Sequence, residues 1–493
     1  MPSVACLVAQ TSENTTGLLD SLKQCQAIKQ TALLLAGQAT APAGSHTIIE
    51  ASSFWSKSAI VDILNWFEQT RADYLLLCLS CAPLLTSTGL QRLVNCCEDS
   101  GAVLAYSDYF DRRSDKSLHN HPLLDYQAGS LRDDFDFGPI LLLNGKNLSS
   151  LGRTIENETP DLQYGGWYDL RLRLCQLGQL LHLPEPLYQL PELGQLPTSQ
   201  KLFDYVDPQN RAIQFELEQV ATTYLKRIGA CLAQPVAAPR EDGRTYPQKA
   251  SIIIPVKNRA QTIGDAVESA LSQKTTFDFN VIVVDNFSDD GTTQILAEKA
   301  KQDKRLVHLI PKSSDLAIGG CWNEAIYSNA CGRFAVQLDS DDIYDGTSVL
   351  ERVINEFDKN PYALVIGSYT TVDFNLAPLS PGLIDHKEWT DSNGHNNALR
   401  IAGLGAPRAF HVPTLRTIGF PNVSYGEDYA VVLRLSRTYR VGRIYDSLYW
   451  CRRWEENTDS SLSLELSNRY AAYKDKLRTI EIAARKRGST NAK

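Results

Sequence analysis

No stretch of this 493-residue sequence stays apolar for long. The longest such run, Tyr74 to Leu85, is far below the ~20 residues a membrane-spanning helix needs. The opening MPSVACLVAQTSENTT has neither a basic region nor a cleavage site, so no signal peptide is expected. Positive charge is not in excess: 49 Lys and Arg stand against 57 Asp and Glu, and the net charge of -8 argues against a nucleic-acid-binding surface. Histidine is scarce and never clustered at zinc-ligand spacing, and the 11 cysteines are scattered. They read as small buried hydrophobes in a reducing compartment, which makes a cytoplasmic location the expectation. A glycine-rich phosphate loop is also missing after the run IIIPVKNRAQ, which counts against nucleotidyl transfer.

What is present is a soluble globular composition, 43% hydrophobic and 22% charged, on a chain long enough for two or three domains at roughly 100–200 residues each. In the second half, ASIIIPVKN (250–258) and FNVIVVDNFSDDGT (279–292) are apolar runs that end in polar turns, with a helical AVESALSQ (266–273) between them. That alternation predicts βαβ units and an α/β fold with a mostly parallel sheet, whose strands are buried on both faces and therefore apolar throughout. Ligands of such sheets gather beyond the carboxyl ends of the strands. Asp207-Pro208 offers a helix start, with Ile213, Leu217, Val220, Tyr224 and Ile228 at helical spacing and Gly229 as a stop. The Pro- and Gly-rich stretch 233–249 then reads as a linker. The closing segment 462–493 reads as an amphipathic helix with a basic end.

The halves also align with each other. YGGWYDLRLRLCQLGQLLHLPEPLY (164–188) lies without a gap on YGEDYAVVLRLSRTYRVGRIYDSLY (425–449), and YLLLCLSCAPLL (74–85) on FAVQLDSDDIYD (334–345). This predicts a duplicated domain. Under the alignment Asp339, Asp341 and Asp342 face Leu79, Cys81 and Ala82, and Glu427-Asp428 faces Gly166-Trp167, so the first copy keeps the scaffold and loses these carboxylates. The expected organisation is a degenerate domain at 1–200, a connecting helix and linker at 201–248, a catalytic domain at 249–460 and a final helix at 461–493.

Carboxylates crowded at a strand end repel one another and need a cation or generous solvent. Mg²⁺ or Mn²⁺ takes hard oxygen ligands and commonly uses one or two carboxylates. On an extended D-x-D segment, Asp339 and Asp341 would point the same way and could share an ion, with Asp342 in support. A lone DxD more often marks a solvated acidic loop. Here PVKN, VDNFSDDGT, Gly319-Gly320 through Asn323, LDSDD and YGEDYAVVLRL follow in order, and together they resemble the family 2 glycosyltransferases of the GT-A fold, strongly over 249–460 and as a faint echo over the first 200 residues.

The resemblance implies two tandem GT-A-like domains and an inverting, metal-dependent transfer of a sugar from a nucleotide diphosphate to a hydroxyl. It implies that Pro255, Val256, Asn258 and Arg259 border the nucleoside, that Asp285, Asn286 and Ser288 flank base and ribose, and that Gly320, Asn323 and Ser340 belong to the donor site. Asp339 and Asp341 would hold Mn²⁺ or Mg²⁺, Asp428 would be the base with Glu427 beside it, and Arg452 and Arg453 would meet the diphosphate. The family often has a second aspartate where Asn286 stands, which leaves the nucleotide open; UDP is the first choice, dTDP and GDP follow. Trp454 stands about where some members place a histidine metal ligand. On the acceptor side, Trp389 could stack on a sugar ring, with Arg408 ending a tight turn from Gly403; His386, His395 and His411 read as core or surface residues. The acceptor is expected to be a saccharide or a lipid-linked saccharide in cell-surface polysaccharide or glycoconjugate synthesis. The basic ARKRG (484–488) leaves a peripheral membrane contact open, and homo-oligomerisation is equally open. The competing reading is a catalytically silent sugar- or nucleotide-binding scaffold, because a fold does not guarantee an activity.

Overall fold

The structure, a computed structural model, describes residues 2–10, 16–36, 46–79, 83–191, 210–454 and 462–491. The chain divides into two compact units: Met1–Pro197 with Ala212–Ile228 and Ser463–Asp475, and Thr198–Arg211 with Gly229–Leu462 and Lys476–Lys493.

The main sheet of the first unit is built from β1 (Val4–Gln10), β2 (Ile28–Ala36), β3 (Thr47–Ala51), β4 (Tyr74–Cys78), β5 (Leu104–Ser107), β6 (Ile140–Asn144) and β7 (Leu180–Leu183) in the order β3-β2-β1-β4-β6-β5-β7. Helix α1 (Gly166–Leu177) precedes β7, and α2 (Arg211–Arg227) belongs to this unit from Ala212 onward. The helix expected from Ile213 onward is present, but its buried face carries Gln214 and Glu218 beside Val220 and Tyr224; Asp207 and Pro208 lie outside the described residues. Every residue of β4 is buried. Cys78 and Cys81 do form a C-x-x-C, which the scattered reading of the cysteines passes over. Cys81 is outside the described residues, and the buried Cys78 thiol lies 3.9 Å from that of Cys6 on the neighbouring strand.

The second unit repeats the plan. Its strands β8 (Ala250–Val256), β9 (Phe279–Asp285), β10 (Leu306–Leu309), β11 (Phe334–Gln337), β12 (Leu364–Val372), β13 (Arg408–His411) and β14 (Val441–Arg452) lie in the order β10-β9-β8-β11-β13-β12-β14. Each strand of the first unit has its counterpart seven labels later, in the same order. The directions agree too: β1–β4 and β8–β11 are parallel, while β6 and β13 run antiparallel to both of their neighbours. The apolar runs become strands because both faces are covered: β9 is buried along its whole length, and α3 (Ile263–Leu271) turns Ile263, Ala266, Val267 and Ala270, at helical spacing, into the core. The remaining helices used below are α4 (Ile318–Tyr327), α5 (Glu427–Ser436) and α6 (Leu464–Asn491), the last shared between the two units. Among the described residues no helix is long and apolar enough to cross a membrane.

One position separates the two copies sterically. A Cβ on Gly166, which heads α1, would come within 2.6 Å of the Ser56 carbonyl; its counterpart in the alignment is Glu427. The first copy has closed the space that a glutamate occupies in the second. Substituting Gly166→Glu is therefore expected to destabilise the first unit by about 1–3 kcal/mol, read as a lower thermal midpoint, and not to create a second acidic site.

Candidate active site

Parallel pairing aligns the carboxyl ends of three strands. Val256 of β8 pairs with Asp285 of β9, and Ile253 of β8 pairs with Gln337 of β11. Strand β13 runs the other way, with Val336 opposite Ala409, so its first residue, Arg408, arrives at the edge where the parallel strands end.

The LDSDD segment follows β11 as a turn, not as the extended segment expected from the D-x-D pattern. The Asp342 amide donates to the Asp339 carbonyl at 3.2 Å, so strand alternation does not set the directions of Asp339 and Asp341. The turn is fixed from two sides. The Asp339 amide donates to the Tyr449 hydroxyl at 2.9 Å, and the Asp342 carboxylate accepts the Arg452 amide at 2.7 Å. Tyr449 is brought there by pairing of β14 with the short strand Ile343–Tyr344. Burial, with Asp341 and Asp339 beside it, pushes the Asp342 carboxyl well above the usual carboxylate range. Asp339 is raised as well, mainly by burial, although the Gln337 amide donates to both of its oxygens at 3.0 Å. Among the described residues no three His, Cys, Asp or Glu side chains are grouped so as to hold a metal ion.

Arg408 ties this turn to the ED pair. Its Nη1 lies 2.8 Å from Asp428 Oδ2 and donates to the Gly405 carbonyl at 3.0 Å, while its amide donates to Gln337 Oε1 at 3.2 Å. Burial works against the guanidinium charge, but Asp428, Asp339 and Glu427 outweigh it and hold its pKa above the ordinary value. Glu427 opens α5 after Gly426, whose φ of 84° makes the turn into the helix. Its Oε2 is buried without a hydrogen bond, and burial, reinforced by the adjacent Asp428, pushes the carboxyl up to about 8.

The PVKN and VDNFSDDGT turns are stitched to each other. The Asn258 amide donates to Ser288 Oγ, the Asp289 amide to Asn258 Oδ1 (both 3.0 Å), and the Asn286 amide to the Val256 carbonyl at 2.9 Å. Asn258, at φ 53°, takes the left-handed conformation that asparagine tolerates. Pro255, in the last part of β8, is half-buried. Asp285 is fully buried, and hydrogen bonds from Ser288, Thr293 and His308 outweigh that burial and lower its pKa. Asn286 is also buried, donates to the Leu316 carbonyl at 2.7 Å, and leaves its Oδ1 without a partner. Arg259 leans toward the DxD turn, its Nε 3.9 Å from Asp341 Oδ2.

Helix α4 is clasped to the loop that leads into α5. Asn323 donates to the Phe420 carbonyl and accepts the Phe420 amide, both at 2.9 Å. A Cβ on Gly319 would fall 1.9 Å from the Pro421 carbonyl oxygen, and one on Gly320 would fall 2.4 Å from Asn422 Oδ1. Gly320, by its close approach to Asn422, and Asn323, through its side-chain amide, thus hold α4 against that loop. Arg452 is 3% exposed; it donates to the Asp341 carbonyl and pairs with Asp265 at 2.8 Å. The structure gives it to the DxD turn and α3. Arg453 and Ser340 are half-buried nearby.

Trp389 is a correction: it is 2% exposed and packs so closely on Gly394 that a Cβ there would meet the indole at 2.4 Å. Its ring fills the core and is not presented to a sugar. His386, His395 and His411 are buried. Sequence reasoning missed Gln337, Tyr449 and Asn422. A glutamine inside the apolar FAVQL was the available signal for the first; nothing local marked the other two.

The register shows what the first unit lost. Carrying the pairing one step past Val336–Ala409 sets Gln337 opposite Arg408, and the same step in the first unit is Leu77 opposite Leu141. Amide, guanidinium and carboxylates have all been replaced there by apolar side chains or glycine, apart from the positions of Asp341 and Asp342, whose counterparts Cys81 and Ala82 lie outside the described residues.

Residues 251–402 match the family described as Glycosyl transferase family 2. The chain is 29% identical over 243 residues to the chondroitin synthase of Escherichia coli, covering 47% of this chain and 33% of that protein. It is 26% identical over 240 residues to the poly(ribitol-phosphate) beta-glucosyltransferase of Bacillus spizizenii, covering 47% and 37%. It therefore spans about a third of the length of these curated relatives. Among solved structures, S. aureus TarS 1-349 with UDP-GlcNAc aligns at a TM-score of 0.37 and 22% identity over 48% of this chain and 72% of that one. The mannosyltransferase PcManGT of Pyrobaculum calidifontis, with GDP-Man and Mn²⁺, aligns at 0.33 and 16% over 60% and 88%.

Two outcomes follow from this geometry. Asn323→Ala removes both bonds to Phe420 and is expected to lower stability by about 1–3 kcal/mol, measured by thermal melting. Because the Glu427 carboxyl moves from 4.5 to about 8 on folding, the metal-free protein takes up a proton as it folds between those values. That stabilisation is complete below 4.5 and fades as pH rises toward 8. The Glu427→Gln variant should therefore gain in melting temperature relative to the wild type as pH rises across this window, read by melting both proteins over the same pH series.

Proposed function

We propose that the second unit, a family 2 glycosyltransferase domain by its sequence, transfers a sugar from a nucleotide diphosphate donor to a hydroxyl acceptor with inversion at the anomeric carbon. The observation that carries this reading is that Arg408 pairs with Asp428 through its guanidinium and is joined to Asp339 through the Gln337 side chain. Residues 249–460 are assigned the chemistry, and the first copy is assigned none, since its matching described positions are apolar or glycine.

Asp428 would take the proton of the acceptor hydroxyl as it attacks C1; general-base assistance of this kind is worth roughly 10²–10⁴ in rate. The ion pair with Arg408 orients the carboxylate. Glu427, protonated at neutral pH, can donate a hydrogen bond to a sugar oxygen, so two adjacent carboxyl groups take opposite roles because their surroundings differ. The acceptor hydroxyl would approach from the face opposite the diphosphate.

A divalent cation fits the DxD turn. Asp339 and Asp341 offer hard oxygen ligands, and burial, with carboxylate neighbours adding to it, raises the pKa values of Asp339 and Asp342, a cost of charge that a bound cation would offset. When bound, Mn²⁺ or Mg²⁺ would act as a Lewis acid toward the charge that develops on the departing diphosphate. Arg259 and Arg453 would add cationic partners for the phosphates. UDP is favoured as the nucleotide; the unpartnered Oδ1 of Asn286 would be available to a donor group on the base. The names of the relatives support an acceptor that is a growing cell-surface polysaccharide, free or lipid-linked.

A screen of UDP-, GDP- and dTDP-sugars in the presence of Mn²⁺ is expected to give thermal stabilisation and slow hydrolysis with one nucleotide class. Asp341→Ala should lose the metal-dependent part of donor binding. Asp428→Asn should keep donor binding and lose transfer by roughly 10²–10⁴. If the wild-type protein binds no nucleotide sugar with metal present, the enzyme reading fails; if Asp428→Asn transfers at the wild-type rate, only the base assignment fails.

A further inference from the structure

The second half of α6 lies against α5, and an apolar groove of about 360 Å³ runs between them, lined by Ala430, Leu433, Leu477, Ile480 and Ala484. Ile480 is 56% exposed. The rim is cationic, with Arg434, Arg437 and Arg487. The lining contains one carboxylate, Glu481, and it is engaged by Arg485 at 2.8 Å and Arg437 at 3.6 Å. Arg434 donates only to Thr438 Oγ1, at 3.4 Å, and among the described residues neither Arg434 nor Arg487 has a carboxylate partner. The Arg437 pKa lies below its ordinary value, first through burial and then through repulsion from Arg434, Arg485 and Arg487, which Glu481 only partly opposes. Folding has gathered positive charge here that it does not neutralise, on a chain whose net charge is -8.

The lining has no side-chain amide or hydroxyl with which to read a peptide or a sugar. Along α6, exposed Lys476 and Arg487 stand one and two turns from Ile480, so long cationic side chains flank an apolar ridge. Helices adsorbed at a bilayer interface have this arrangement: apolar groups enter the acyl boundary while Lys and Arg reach up to the phosphates. Hydrocarbon and phosphate within one molecule is the chemistry that matches groove and rim together.

We propose that the α5–α6 face docks on an anionic lipid bilayer, with the groove and Ile480 taking up hydrocarbon and Arg434, Arg437 and Arg487 meeting headgroup phosphates. Because α5 begins with Glu427-Asp428, docking would hold the candidate base at the amino end of a membrane-bound helix. The docking itself stands independently of the transferase reading.

The test is co-sedimentation of the full chain with vesicles of phosphatidylcholine alone and of phosphatidylcholine mixed with phosphatidylglycerol. Binding is expected only to the mixed vesicles and should weaken with added salt. Each arginine removed should weaken it roughly fivefold, so Arg434→Gln with Arg487→Gln should lose on the order of twentyfold or more. Ile480→Asn, which leaves the charge unchanged, should weaken it further. All three positions are exposed, and unchanged melting temperatures will show that the variants fold. Absence of binding to the mixed vesicles overturns the proposal, as does binding that all three substitutions leave intact. Capture of soluble polyphosphate without capture of vesicles also overturns it, in favour of a polyanionic polymer. Nucleotide-sugar binding is unaffected in each case, so failure here is distinct from failure of the enzyme reading.

Discussion

One antiparallel strand in an otherwise parallel run organises the candidate site. Parallel strands all end at one edge, and a chain that ends several strands in carboxylates has a charge problem there. Strand β13 enters the sheet reversed, so that its first residue, Arg408, sits at that same edge. Its guanidinium then pairs with Asp428, and the Gln337 side chain joins its backbone to Asp339. Without that reversal Arg408 would not reach the edge where both acidic groups stand.

The two units show that the architecture does not require the chemistry. Strand order and direction repeat from one to the other, while Gln337, Arg408 and Asp339 are matched by Leu77, Leu141 and Leu79. A leucine pair across neighbouring strands is what a sheet edge accepts when nothing polar needs to be held. The polar set of the second unit is expensive by comparison: Asp342 and Glu427 are carboxyls whose burial drives their pKa values up. Such groups are commoner where a site uses them than where a fold merely tolerates them.

Much of the fold was legible because its signals are local. Continuous apolar runs ending in polar turns gave β8, β9 and β11, and the gapless alignment of 164–188 on 425–449 anticipated a repeat whose strand order the sheet topology bears out. Where the reading missed, a contact distant in sequence was decisive. The DxD segment was expected to be extended, but Tyr449 and Arg452, more than a hundred residues on, draw it into a turn. Trp389 looked like a sugar platform and is a core residue, because Gly394 lets the backbone close over its ring. Asn323, expected at the donor site, also has a contact distant in sequence, since both ends of its amide are bonded to Phe420.

By itself the sequence determined the kinds of group available: carboxylates at strand ends, glycines in the first turn of α4, an acidic pair at the start of α5, and an acidic chain with a basic tail. These follow from composition and from periods of two and 3.6 residues, which any stretch carries within itself. Only the tertiary structure decided which of those groups meet. Arg408 and Asp428 lie twenty residues apart, Asp339 and Tyr449 more than a hundred, and their meeting depends on strand order and direction, which no local period encodes. The same holds for the basic-rimmed groove, whose arginines come from two helices and gather charge only once those helices are packed side by side.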